Sequence, residues 1–258
     1  MRVITISCDG IFQAAERGLF EWLAEQEAEI ICLQDLRAST PEVEDAPQLQ
    51  LDGYFSYVFD AADSTQNGVA IYTRHAPKAM MYGFGLQSGE DMDGRYLQAD
   101  FDELSVVSLM VPHGPEGSEQ LQAKSRFVTG LQAHLEKITR KRRRYIFCGS
   151  WYMAATDGDV EHGEAHDGEP GLLPAERQWF RQVYKDIGYA DAFRTSNTDT
   201  DEFSWWPSGT MGEGDGWRTD TQVISGSLVP KVEYAVIYKA RKFSSHAPVI
   251  VDYEIAEF

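Results

Sequence analysis

Apolar side chains along the chain fall into short runs separated by polar turns, and most runs have the length of β-strands. They are rich in Val, Ile, Tyr and Phe, which favour strands. Several runs follow one another without an intervening helix, which indicates a mixed sheet rather than a purely parallel one. The predicted strands are Val3–Ser7, Ile30–Leu33, Tyr54–Phe59, Val69–Tyr72, Tyr96–Phe101, Ser105–Val111, Tyr145–Cys148, Thr221–Ile224 and Pro248–Tyr253.

Three other segments show helical periodicity. The first covers about Ile11–Gln26 and the second about Ser118–Thr139, while the third opens at Pro174 and can end at Gly188. Strands that are apolar on both faces need covering on both sides. We therefore predict an α/β fold in which two mixed β-sheets pack as a sandwich flanked by helices. No linker or repeat divides the chain, so residues 1–258 are predicted to form a single domain.

The net charge of the chain limits how this fold could bind nucleic acid. The 258 residues include 23 basic and 41 acidic side chains, which gives a net charge of −18. A protein that grips nucleic acid by itself usually presents a basic face. Any such role here must work through a local patch or through another protein.

The cellular compartment is indicated by the cysteines and by the length of the apolar runs. Cys8, Cys32 and Cys148 each lie in a strand-like run and lack metal-type spacing. An odd number of such thiols is typical of a reducing compartment. No apolar run approaches the ~20 residues of a membrane span. We expect a cytoplasmic protein without membrane contact.

Two charged segments allow more than one interpretation. Arg140, Lys141, Arg142, Arg143 and Arg144 can complement the dipole at the end of the second helix, or contact RNA or an acidic partner. The acidic segment Thr156–Pro170 contains His162 and His166, which raises the possibility of a metal site. We interpret it instead as a solvated, mobile loop, because no rigid element holds those side chains.

Polar residues stand where the predicted strands end, which is where α/β proteins gather their chemistry. They are Ser7, Asp9, Gln34, Asp35, Ser150, Tyr152, Asp220, Ser245 and His246. The Tyr145–Cys148 strand is followed by the hydroxyl of Ser150 and the phenol of Tyr152. Neither is a strong metal ligand or an obvious general base.

In this order and with these neighbours, the chain resembles the exodeoxyribonuclease III-like apurinic endonucleases of the endonuclease/exonuclease/phosphatase superfamily. The segments that carry the resemblance are ITISCDGI, ICLQDLR, NGVAIYTR, GRYLQADF, CGSWYMA, WRTDTQ and FSSHAPVIVDY. The resemblance implies an exonuclease III-like domain. In that family a magnesium ion, an Asp–Asn pair and a His carry phosphodiester hydrolysis.

The resemblance implies that several of those catalytic residues are replaced in this sequence. The family's first-strand Asn is Ser7, its metal-binding Glu is Asp35, and its Asp–x–Asn is Ser150 and Tyr152. The Asp before its His is Ser245. Asp220 and His246 remain, and together with Asp9 and Asp35 they form a vestigial site. We expect no catalytic residue, no bound metal and no cofactor, although Asp9, Asp35 and Asp220 could hold a magnesium ion weakly.

One branch of the superfamily, the catabolite repression control proteins, resembles the chain in these replacements. Gln34-Asp35, Ser150–Tyr152 and Tyr96–Phe101 match it, whereas Ser7 and the acidic Thr156–Pro170 loop depart from it. The resemblance implies a regulator that represses translation with the RNA chaperone Hfq at A-rich mRNA sites, without binding DNA. The alternative is a metal-dependent DNA-repair nuclease or phosphatase with a remodelled site.

Overall fold

The computed structural model describes residues 1–256, so the last two residues of the predicted 1–258 domain lie outside it. In this range the chain forms two six-stranded mixed sheets that pack face to face, with helices on the outside. The α/β sandwich predicted from the sequence is therefore confirmed. None of the helices in the described range has the length and apolar character that crossing a membrane requires.

The first sheet has the strand order β11-β12-β1-β2-β4-β3, and only its β1–β2 pair is parallel. The second sheet has the order β5-β6-β7-β8-β10-β9, with β7–β8 as its parallel pair. The strands are β1 Arg2–Ser7, β2 Ile30–Gln34, β3 Phe55–Phe59, β4 Val69–Thr73, β5 Ala79–Tyr82, β6 Tyr96–Asp100, β7 Leu104–Met110, β8 Arg144–Ser150, β9 Tyr189–Asp191, β10 Asp220–Ser225, β11 Val232–Ile237 and β12 Val249–Tyr253.

The helices cover the outer faces of the sheets, except the last, which places Ala192 and Phe193 in the core between them. They are α1 Ile11–Glu16, α2 Leu19–Ala24, α3 Thr40–Glu44, α4 Glu119–Ile138, α5 Pro174–Arg181 and α6 Ala192–Ser196, and the π-helical turn Gln182–Ile187 continues α5. The predicted helix Ile11–Gln26 is wrong in its continuity, because Gly18 adopts a left-handed conformation (φ 83°) that separates α1 from α2. The other two helix predictions are confirmed: Ser118 caps α4, and left-handed Gly188 ends the turn after α5.

Alternation along the strands builds one core between the sheets and one on each outer face. In β1, Val3 faces the partner sheet, whereas Ile4 and Ile6 face α1 and α2. On the second sheet, Val107 and Phe147 face the apolar stripe of α4. Burial on both faces explains why the central strands are apolar almost throughout.

Candidate functional site

The polar residues predicted at the strand ends lie at one end of the sandwich. Ser7 and Gln34 are paired at the ends of the parallel strands β1 and β2. On the other sheet Ser150, the last residue of β8, is paired with Asp220 at the start of β10. Ser245 and His246 lie in the segment before β12, where the backbone N–H of Ser245 donates to Asp9 Oδ2 at 2.7 Å. A cleft of about 400 Å³ opens over this end, lined by Asp9, Arg37, His113, Tyr152 and Trp205 among others.

Asp35, which stands where the family has its metal-binding Glu, is bound by an arginine of its own loop. Arg37 donates from Nη2 to Asp35 Oδ2 at 2.6 Å and from Nε to Oδ1 at 3.2 Å. The same Nη2 lies 3.6 Å from Asp9 Oδ1. Burial raises the pKa of Asp35, although the Arg37 guanidinium opposes this shift. A side-chain cation therefore lies between the two carboxylates.

The loop backbone is strained at these positions. Asp9, Asp35 and Arg37 all have positive φ, at 52°, 53° and 51°, a region that non-glycine residues rarely adopt. Tyr152 joins them with φ 49°. Backbone strain of this kind costs about 1–3 kcal/mol per residue and is typical of functional sites.

His246 and Asp220 form a buried pair behind the cleft. His246 Nδ1 lies 2.9 Å from Asp220 Oδ2, which also accepts a 2.8 Å hydrogen bond from Ser204 Oγ. Burial alone would lower the pKa of His246, but the Asp220 carboxylate outweighs it and the pKa is raised. Trp205 stacks on the imidazole with ring centroids 5.8 Å apart. The family's retained His thus carries a tightly bound carboxylate partner.

Tyr152 occupies the centre of the site. Its ring stacks on His113 with a centroid distance of 4.6 Å and meets Trp205 edge-on at 5.2 Å. The side chain is only 6% exposed, and burial raises the pKa of its phenol, which therefore stays neutral. Lys124 of α4 donates to the Tyr152 backbone carbonyl at 2.7 Å and is itself paired with Glu176 of α5 at 2.5 Å. These contacts fix a phenol where the family has an amide.

Three buried polar atoms of the residues predicted to form the site have no hydrogen-bond partner among the described residues. They are the hydroxyl oxygens of Ser7 and Ser150 and Nε2 of His246. Buried polar groups are nearly always hydrogen-bonded, so an unpaired one needs an explanation, and a catalytic role is one such explanation. Two of the three, those of Ser7 and Ser150, belong to positions where the family resemblance implies an Asn and an Asp.

The donor set does not fit the magnesium ion that the family resemblance implies. Magnesium requires several oxygen ligands in a near-octahedral arrangement. Within residues 1–256, no three His, Cys, Asp or Glu side chains converge so that they could hold one ion. Asp35 is committed to Arg37 and Asp220 to His246 and Ser204. Asp9, Asp35 and Asp220 are therefore not arranged as a magnesium site in this structure.

The basic segment Arg140–Arg144 lies at the opposite end of β8 from Ser150, about 20 Å away at ~3.3 Å per residue. Arg140, Lys141 and Arg142 are exposed. Arg143 is not free: it donates to Ser105 Oγ and to the carbonyls of Phe101, Asp102 and Leu104. Arg144 faces Glu103 at 3.4 Å. Three cations of the segment are therefore exposed and able to contact a partner, whereas Arg143 and Arg144 bind groups of the protein itself.

The acidic loop Thr156–Pro170 is built by ion pairs, so its interpretation as a mobile segment is not supported. His162 Nδ1 and His166 Nε2 lie 3.1 Å and 2.8 Å from the two carboxylate oxygens of Asp215. Arg177 of α5 bridges two of the loop's carboxylates, Asp157 and Asp167. In the described part of the chain the two histidines belong to no group of three or more His, Cys, Asp or Glu side chains placed to hold a metal ion.

The structure adds residues that sequence reasoning did not single out, chiefly Arg37, His113, Lys124 and Trp205. Arg37 lies in the ICLQDLR segment, two residues after Asp35, so proximity could have indicated the pair. Lys124, His113 and Trp205 reach the site from elements far away in sequence. No local pattern marks them.

Comparison with known proteins agrees with this architecture. The model of the Endonuclease/Exonuclease/phosphatase family matches residues 9–240. The exodeoxyribonuclease of Bacillus subtilis is 27% identical over 253 residues, covering 96% of this chain and 98% of the relative. Exodeoxyribonuclease III of Haemophilus influenzae is 28% identical over 273 residues, covering 98% of this chain and 100% of the relative. Among solved structures, an AP endonuclease from Archaeoglobus fulgidus superposes with a TM-score of 0.85 at 19% identity, over 99% of this chain and all of that one.

Proposed function

The chain belongs to the Endonuclease/Exonuclease/phosphatase family, and within it we propose that the protein is a non-catalytic post-transcriptional regulator of carbon catabolite repression. It represses translation of target mRNAs together with the RNA chaperone Hfq at A-rich sites, as the resemblance to the catabolite repression control branch implies. It binds neither DNA nor a membrane, and it acts without a cofactor.

The proposal that the protein is not a nuclease rests mainly on the contacts of the Asp35 carboxylate. Its carboxylate is bound by the Arg37 guanidinium, so it is not free to bind a metal ion. Ser150 and Tyr152 supply neither the base nor the amide that would position a water molecule. Losing a positioned acid or base alone costs about 10²–10⁴ in rate, and here several such groups are absent together.

Electrostatics support a role that depends on a partner. The net charge of −18 repels RNA phosphates, which provide most of the affinity in unaided binding. Arg140, Lys141 and Arg142 form a small exposed cationic patch at the end of the sandwich opposite the vestigial site. When Hfq already holds the RNA, contacts from this patch become effectively intramolecular, and avidity can add about 10²–10⁴ in affinity.

A second candidate is a metal-dependent nuclease or phosphatase with a remodelled site. The buried His246–Asp220 pair favours it, because the family uses a His at that position and the imidazole is held in place. The relatives from Bacillus subtilis and Haemophilus influenzae are also named as exodeoxyribonucleases. This candidate requires the chain to hydrolyse a phosphoester although position 150 is a serine and not the family's aspartate.

The proposal is tested by cell-free translation of a reporter whose leader carries an A-rich site. We expect repression when the protein and Hfq are both present, and little repression with the protein alone. A matched leader with its A-rich site scrambled is the control and is expected to escape. Equal translation with and without the protein, at saturating Hfq, would contradict the regulatory role.

A parallel assay separates the two candidates. Duplex DNA with an abasic site and DNA with a 3′-recessed end are incubated with the protein and magnesium or manganese, and both are expected to stay intact. Cleavage that scales with protein concentration and disappears in the Asp35→Ala/His246→Ala double variant would establish the nuclease instead.

A further inference from the structure

A second cavity lies away from the vestigial site, at the outer edge of the second sheet. It measures about 530 Å³, which lies within the range of small-molecule pockets. The helix α5 with its π-helical turn forms one wall, and the edge strand β9 with α6 forms the other. The apolar lining comes from Phe180, Tyr184, Tyr189, Ala190 and Ala155.

The base of this cavity is a neutralised ion network. The buried Arg218 donates from Nε to Asp159 at 2.8 Å and from Nη1 to Asp191 at 2.7 Å. Arg194 adds a second cation to Asp159 at 2.8 Å. The two carboxylates in the lining are therefore already bound by two guanidinium groups, and neither leaves negative charge uncompensated.

The rim carries cations that remain available. Arg181 and Lys185 line the cavity, and within residues 1–256 neither forms an ion pair. Arg177 also lines it but is bound to Asp157 and Asp167. Cations four positions apart on a helix repel each other mildly unless an anion lies between them. In a chain with a net charge of −18, the cavity thus combines a cationic rim, an apolar lining and a neutralised base.

Two features of the wall resemble those of binding sites. The segment Gln182–Ile187 is a π-helix, a rare conformation that occurs frequently at functional sites. It supplies both Tyr184 and Lys185. The Tyr184 hydroxyl is buried and, among the described residues, has no hydrogen-bond partner, so it is available to donate to a ligand.

We propose that this cavity binds a small organic anion with a planar ring. The ring packs against Phe180, Tyr184 and Ala190, and Arg181 and Lys185 bind its carboxylate or phosphate group. Guanidinium groups bind both anions in bidentate geometry, so the two share one chemistry at this rim. The site is independent of the proposed regulatory function.

Calorimetric titration of the intact chain tests this. The ring-bearing anions are AMP and 4-hydroxybenzoate, their neutral counterparts are adenosine and 4-hydroxybenzamide, and inorganic phosphate is the anion without a ring. We expect at least one ring-bearing anion to bind with a Kd below about 1 mM. Its neutral counterpart and phosphate are expected to bind at least about tenfold more weakly, which corresponds to ~1.4 kcal/mol. Which of the two anions binds distinguishes a phosphate ligand from a carboxylate ligand.

Variants locate the binding. Arg181→Glu/Lys185→Glu is expected to weaken it at least about tenfold, and Tyr184→Phe by about three- to tenfold for one lost hydrogen bond. The charge-matched control Lys137→Glu/Lys242→Glu, at two exposed positions outside the cavity, is expected to keep the affinity of the unmodified chain. If the double Glu variant fails to fold by circular dichroism, Arg181→Ala and Lys185→Ala replace it. The proposal is overturned if both ring-bearing anions fail to bind, if a neutral counterpart binds equally well, or if the cation variants leave the affinity unchanged.

Discussion

At the scale of single residues, the guanidinium group of Arg37 lies between the carboxylates of Asp35 and Asp9. Asp35 is almost fully buried, and a buried carboxylate without a partner is costly. Arg37 therefore stabilises the loop electrostatically, and it contacts the same carboxylate oxygens that a metal ion would need. The contact between Arg37 and Asp35 therefore bears on both the stability of the loop and the affinity of Asp35 for a metal ion.

Replacing Arg37 by Ala is expected to lower the free energy of unfolding at pH 7 by about 1–2 kcal/mol, a value that allows for the solvent exposure of the arginine. The pKa of Asp35, already raised by burial, rises further without the cation. The charged carboxyl then opposes folding above its unfolded pKa, so the deficit shrinks as the pH falls and Asp35 becomes protonated. Urea unfolding at pH 7 and pH 4 measures this, with Arg17→Ala, from the same cleft, as the control. A deficit that does not depend on pH would contradict the account.

Magnesium is expected to leave the thermal midpoint of the unmodified chain within about 1 °C of its value in EDTA. A ligand at 100 times its Kd stabilises by about 2.7 kcal/mol, which would raise the midpoint by several degrees. Thermal melts in EDTA and in millimolar magnesium make the comparison. A rise of several degrees that is lost in Asp35→Ala would show that the ion displaces Arg37.

His246 is expected to make stability depend on pH. Its folded pKa is raised by Asp220, so its contribution is fully present below the unfolded value of about 6.5 and is lost as pH rises through the folded pKa. His246→Gln should therefore destabilise more at pH 6 than at pH 9 in urea unfolding. His162→Gln, at a largely exposed ring, is the control. An equal loss at both pH values would show that the ring acts only through packing.

At the scale of elements, the sequence predicted the central strands well and the sheet edges poorly. The central strands of both sheets and the edge strand β3 were predicted close to their observed bounds, because most of them are largely apolar runs. The three missed strands, β5, β9 and β11, are all edge strands. β5 is mostly exposed and β9 has three residues, so neither produces a hydrophobic run.

Arg143 shows how a charge run can conceal a structural contact. Its guanidinium binds three carbonyls and a hydroxyl around the turn between β6 and β7. Arg143→Ala is expected to lower the free energy of unfolding by about 1–2 kcal/mol, because several partly buried acceptors lose their donor. Arg140→Glu/Arg142→Glu, at exposed positions, should change it by less than about 0.5 kcal/mol. Chemical denaturation compares them, and equal effects would contradict this division of the run.

At the scale of the whole molecule, the two ends of the sandwich differ. One end carries the vestigial site with its buried pairs, and the other carries the exposed cations Arg140, Lys141 and Arg142. The sequence predicted that polar residues following the strand ends gather in one place, and the structure brings them together at this end of the sandwich. The occupation of Asp35 by Arg37, and the enclosure of Tyr152 by His113, Lys124 and Trp205, depend on tertiary contacts that no local pattern encodes.

The account's central claim is that this acidic nuclease-fold protein acts on RNA through a partner and leaves the RNA intact. An electrophoretic mobility shift with A-rich RNA, with and without Hfq and in the presence of magnesium, tests it most directly. The account predicts no shift with the protein alone and a slower ternary complex with Hfq. That complex should weaken as salt rises, contain uncleaved RNA, and be lost in Arg140→Glu/Arg142→Glu. A direct shift by the protein alone, an Hfq complex that it does not retard further, or cleaved RNA would contradict the account.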